Sequence, residues 1–236
     1  MNLRTAPIAF VLSLLATVPA AQAATTDANV AWNGNAARTG VRVNAFDGNS
    51  RVFGGLAHEL SYSRLAADGA PATSFAAFSV EPLQANSRLV ATYQQSAFGG
   101  STGSLLAALY TTSYKATSTW DDTTQAAFQV AVWELTQEKA GTTGSTVYDV
   151  RSGSFSASGA NAVTDLAGTF IGQALAFTGT SSYAVYRLSN GRYQDMVTAT
   201  RLSTGVVSQV PEPQTYAMLL AGLGIVGLLV RRRLPR

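Results

Sequence analysis

The chain has 236 residues, no cysteine, one histidine and only 12% charged residues, about half the usual share of charge. Without cysteine there are no disulfides, no thiolate chemistry and no Cys-ligated zinc, and one histidine leaves no multi-histidine metal site. Mean hydropathy is +0.12, which excludes both a charge-driven disordered chain and a polytopic membrane protein. The pI near 9.3 comes from the chain ends. Residues 1–23 and 211–236 hold five of the 16 basic residues and one of the 13 acidic ones, so the middle carries 11 and 12, net −1. A body without a basic stripe is not a nucleic-acid binder.

Both ends read as addresses. Residues 1–23 place Arg4 before an apolar run from Ile8 to Val18 and close on small Ala21 and Ala23. That is an export signal with cleavage before Ala24 by signal peptidase. An oxidising compartment permits disulfides without requiring them, so the missing cysteines are compatible with export.

The far end, residues 209–236, contains Pro211-Glu212-Pro213, an apolar stretch to Val230, and Arg231-Arg232-Arg233. Gln214 to Val230 as a helix spans roughly 25 Å, enough for a thin bilayer. The arginines after it keep that end in the cytoplasm and leave the body outside, anchored in the inner membrane. These three parts, in this order, resemble the PEP-CTERM sorting signal of exopolysaccharide-associated Gram-negative bacteria. The resemblance implies recognition by an exosortase-type membrane enzyme, cleavage near Pro211–Pro213, and display or release of the body at the cell surface. Gly222-Leu-Gly224-Ile-Val-Gly227 in the same stretch mimics a dinucleotide fingerprint but lacks the strand before it and the acidic residue after it. Its glycines suit helix packing in lipid, and no cofactor is expected.

The body, residues 24–208, reads as one α+β domain of antiparallel strands with about three helices. Asn33-Gly34, Asp47-Gly48, Asp68-Gly69 and Asn190-Gly191 are turn dipeptides. A strand over 56–63 places Leu56, His58, Leu60 and Tyr62 on one face and Ala57, Glu59, Ser61 and Ser63 on the other. Further strands are expected over 73–80, 88–93, 147–155, 183–188 and 196–202. Helices are expected over 104–111, 122–139 and 160–177, the last with Ala162, Leu166, Phe170, Ala174 and Phe177 in one stripe. The middle helix opens on an Asp122-x-x-Gln125 capping pattern and closes at Gly141. It is apolar nearly all round, hence buried, and Gln125, Gln129 and Trp133 fall on one side of it.

Gln129-Val-Ala131-Val-Trp133 resembles the glutamine helix of thioester domains, and Phe78-Ser79-Val80-Glu81 resembles their Phe-Cys-Val-Glu strand. The resemblance covers roughly residues 50–200 and implies a degenerate pair, Ser79 at the cysteine position and Gln129 at the glutamine position. A serine hydroxyl is a much weaker nucleophile than a thiolate, so the pair reads as a hydrogen-bonded remnant, with an internal ester as the sharper alternative.

Enzyme signatures are sparse. Gly99-Gly-Ser101-Thr-Gly103 fits G-x-S-x-G, and His58, Asp68 and Ser101 stand in a His–Asp–Ser order used by other folds. Against that, His58 lies on an apolar strand face. Asp121 and Asp122 read as helix N-terminal charge rather than a metal site, and Glu59, Glu81, Glu134 and Glu138 have no spacing that pairs them for glycoside chemistry. Tyr183, Tyr186 and Tyr193 are candidate sugar or protein contacts. The expectation is a non-catalytic surface or matrix protein with a structural or adhesive role, with extracellular polysaccharide among its expected partners; the alternative is a surface hydrolase acting on polysaccharide or peptide.

Overall fold

In the computed structural model, residues 25–35, 41–46, 52–115, 120–140 and 146–202 are described. The expected signal peptide, the Pro-Glu-Pro segment, the apolar helix and the arginines lie outside them. Among the described residues no helix is long and apolar enough to cross a membrane.

Six antiparallel strands close into a barrel: β1 (Thr26–Asn35), β4 (Leu60–Leu65), β5 (Pro71–Ser79), β9 (Met196–Arg201), β8 (Tyr183–Ser189) and β6 (Ala91–Ala97), with β1 pairing back to β6. Closure leaves no free sheet edge in the ring. A separate three-stranded sheet holds β3 (Val52–Ala57), β2 (Val41–Phe46) and β7 (Ser156–Ser158), in that order. The helices are α1 (Gly100–Ser113), α2 (Asp122–Gln137) and α3 (Asn161–Ala176).

Side-chain alternation along the strands feeds two cores. Ala28, Val30, Leu60, Tyr62, Ala77, Tyr93, Leu188 and Met196, drawn from all six strands, fill the barrel. Their neighbours Phe78, Val185 and Val197 point the other way and join the core packed around the helices. Within that core α2 is buried without a break from Gln125 to Leu135. Phe128 is its hub, with ring centroids 4.7 Å from Phe78, 5.1 Å from Tyr110, 5.3 Å from Trp120 and 5.5 Å from Tyr114.

Several expectations need correcting. The strand expected over 56–63 is two strands in two sheets, because the chain leaves the small sheet at Ala57 and enters the barrel at Leu60. Asn33-Gly34 is no turn; it sits at a bulge inside β1, where the register shifts between Trp32 and Gly34 and Gly34 takes φ +111°. Residues 147–155 form turns and one isolated bridge, Asp149 to Ser152, and strand geometry begins only at Ser156. The buried stripe of α3 is Val163, Ala167, Phe170, Ile171 and Ala174 rather than the one through Ala162 and Leu166. The cap of α2 is Asp121, whose carboxylate accepts the Thr124 N–H at 2.7 Å, while Gln125 donates to the Trp120 carbonyl at 3.3 Å. Asp47-Gly48 and Gly141 lie outside the described residues.

Truncating the hub tests this packing. Phe128→Ala is expected to cost about 3–5 kcal/mol of stability, read from the midpoint of urea unfolding, because its four ring neighbours and Phe170, 6.3 Å away, cannot collapse into one ring-sized void.

Candidate functional site

Antiparallel pairing explains why Ser79 needs a partner. Leu60 stands opposite Ala77 in the ladder between β4 and β5, and that ladder ends there because the chain turns away at His58 and Glu59. On its other side β5 meets β9, where the Val80 N–H donates to the Asp195 carbonyl at 3.0 Å. The Ser79 peptide groups therefore face the vacated side. A buried N–H and C=O left alone there cost about 1–3 kcal/mol each.

Gln129 fills that place. Its Oε1 accepts the Ser79 N–H at 2.9 Å, and its Nε2 donates to the Ser79 carbonyl at 2.8 Å. The carboxamide thus acts as one more peptide unit at the end of the barrel ladder. Two turns further along α2, Gln137 donates from Nε2 to the Val80 carbonyl. The Ser79 hydroxyl takes no part in the latch. Its Oγ accepts the Glu81 N–H at 3.1 Å, a local turn bond of the kind serine favours.

Ser79 and Gln129 line a pocket of about 410 Å³ with Trp32, His58, Trp133 and Gln194. Of these, Ser79, Gln129, Trp133 and His58 stand out in the sequence itself. Trp32 and Gln194 were not legible, because β1 lacked a recognised strand pattern and Gln194 follows a turn. Burial pushes the His58 imidazole below its ordinary pKa, and its Nδ1 contacts the Glu59 carbonyl at 3.1 Å.

Ser101 is exposed in the first turn of α1, Asp68 accepts the Ala70 N–H at 3.0 Å in the β4–β5 turn, and among the described residues no hydrogen bond joins either to His58. The glycines around Ser101 have backbone reasons: Gly100 takes φ +71°, and a Cβ on Gly103 would meet the Phe98 carbonyl oxygen at 1.8 Å.

The carboxylates are also committed to structure. Glu81 accepts the Asp195 N–H at 2.8 Å, and Glu59 accepts the Tyr114 hydroxyl at 3.2 Å, with burial raising its pKa. Glu134 in the last turn of α2 and Glu138 at its C-terminal cap hold the 149–155 loop by its backbone. Glu134 accepts the Asp149 N–H at 2.8 Å, and Glu138 accepts the N–H groups of Ser154 and Phe155 at 3.1 and 3.0 Å. Desolvation first, then the Glu138 charge, push the Glu134 carboxyl up to about 8. Its Oε2 is buried with no partner among the described residues. The tyrosines do not form one patch: Tyr183 joins the helix-side aromatic cluster, whereas Tyr193 packs against the barrel core.

Two measurements separate these roles. In chemical denaturation, Gln129→Leu is expected to cost about 2–4 kcal/mol, and Ser79→Ala only about 1 kcal/mol, since the latch uses the main chain of Ser79. A large loss in Ser79→Ala would overturn that assignment. For Glu134, folded and unfolded states both hold the proton below about pH 4.5, and between there and about pH 8 only the folded state does. Stability therefore falls as pH rises through that window, by up to about 1 kcal/mol per pH unit. Glu134→Gln should flatten the slope in a series of melts from pH 5 to 8.

No curated protein and no solved structure matches the chain. Residues 209–233 match the PEP-CTERM protein-sorting motif, the segment whose Pro-Glu-Pro, apolar run and arginines the sequence sets in that order. The chain therefore carries the sorting signal of an exported protein processed by a membrane exosortase and directed to the cell surface.

Proposed function

We propose that the body is a non-catalytic component of the cell surface or extracellular matrix, with a structural or adhesive role linked to exopolysaccharide. In this reading signal peptidase cuts before Ala24, an exosortase cuts near Pro211–Pro213, and the inner-membrane helix is a transient anchor. The observation that carries it is the sorting-motif match at 209–233. The body is consistent with it: Ser79 and Gln129 are spent on a hydrogen-bonded latch. The degenerate thioester pair is thus a structural remnant, holding β5 to α2 without a covalent bond. A surface hydrolase would need Ser101 activated, and the glycines that suggest it have structural reasons of their own.

Intact mass of the native protein from the surface and medium fractions tests the whole reading. The expected species starts at Ala24, ends near Pro211–Pro213, and retains the ammonia that an internal Ser79–Gln129 ester would expel. A mass that still includes Arg236 would overturn processing and make the tail a permanent anchor. Loss of one ammonia from the body would overturn the non-covalent latch.

A further inference from the structure

Beside the latch, the mouth of the barrel opens into the pocket of about 410 Å³ described above, within the size range of small-ligand sites. Two indoles, Trp32 and Trp133, lie in its wall, together with the carboxamide residues Gln84, Asn86 and Gln194. Gln194 is 5% exposed and lies in that wall. The Trp32 indole N–H and the Asn86 Oδ1 are buried with no hydrogen-bond partner among the described residues. So much unspent donor and acceptor capacity in one wall is uncommon for buried polar groups.

The pocket's charge is one-sided. Its lining holds Arg88 and no carboxylate among the described residues. His58 has its pKa lowered by burial, which leaves Arg88 as the cation at neutral pH. The guanidinium is exposed, lies 5.8 Å from the centroid of the Trp32 ring, and has no acidic partner among the described residues. Its loop is fixed on either side of it. The Ser87 hydroxyl bonds the Leu89 carbonyl at 2.8 Å, and the Gln194 N–H donates to the Ala85 carbonyl at 3.1 Å.

We propose that this pocket binds a pyranose unit bearing a carboxylate, an acidic saccharide residue. The indoles take the apolar C–H face of the ring. Gln84, Asn86 and Gln194 take its hydroxyls, and Arg88 swings from Trp32 to pair with the carboxylate, a charge-assisted bond with planar geometry. The proposal deepens the matrix reading and draws its biological sense from it, but the site stands on its own lining.

Two of the three tryptophans of the chain line the pocket, so indole fluorescence reports occupancy. The full chain in detergent is titrated with trigalacturonate and, as a neutral comparator, maltotriose. The expected result is a saturable change with trigalacturonate at about tenfold lower concentration than with maltotriose. Arg88→Ala should weaken trigalacturonate about tenfold and leave maltotriose unchanged, and Gln194→Leu should weaken both. Arg88 is exposed, so its variant should melt like the parent. Absence of a saturable change with either sugar overturns the site. Equal affinity for the two sugars overturns its acidic preference, and trigalacturonate binding that neither variant alters overturns its location. Failure here with the expected intact mass of the native protein sinks the pocket alone; binding here with a native mass that retains Arg236 sinks the processing alone.

Discussion

A single carboxamide reconciles the barrel with its helices. Where β4 leaves β5, the ladder would end in a buried, unpaired peptide, and Gln129 completes it with both of its polar atoms. For a side chain to reach that point, α2 must lie against the end of β5, and only a helix apolar on nearly every side can be buried there. The aromatic cluster around Phe128 and the outward-facing Phe78 follow from that placement. The latch is thus the joint between two cores that β5 serves with alternate residues, Ala77 inside the barrel and Phe78 toward the helices.

The same helix organises its own C-terminal surroundings. Glu134 and Glu138 present side-chain carbonyl and carboxylate oxygens, respectively, to the N–H groups of a loop that lacks regular structure over most of its length. The loop comes so close that a Cβ on Gly153 would meet the Glu138 carboxylate at 2.4 Å, and Gly153 itself has φ +115°. Acidic side chains here do the work that a neighbouring strand does elsewhere. That explains why residues 147–155, β-prone by composition, remain turns until Ser156 pairs with Phe46.

Helices were the most legible part of the fold, because α2 and α3 are long apolar runs, although the cap of α2 and the first turns of the α3 stripe fall one residue from where the pattern puts them. The α+β class and the antiparallel strands were also readable from turn dipeptides and alternation. Barrel closure was not, since it depends on β1, a strand of mixed polarity with a bulge in place of the turn that Asn33-Gly34 suggests. Nor was the break at His58 and Glu59, where alternation runs on unbroken through Leu56 and Leu60 although the two belong to different sheets. The pattern also misassigned faces there, since Ala57 is buried and Leu56 exposed; sheet membership is decided by partners far along the chain. At the candidate site, Gln129 was legible as a polar side chain in a helix apolar nearly all round, which has to find a buried partner. That the contact runs through the main chain of Ser79 is visible only in three dimensions.

Strand order also governs timing. The first strand of the barrel, β1, is bonded to β4 and β6, but the ring closes only when β9 enters between β5 and β8. Met196 and Val197, one for each core, are therefore among the last residues of the body to be made. Contacts of such long sequence separation form slowly. A chain delivered across a membrane from its N-terminus thus stays open and threadable until nearly all of the body has crossed, and it locks only when the sorting tail is next in line.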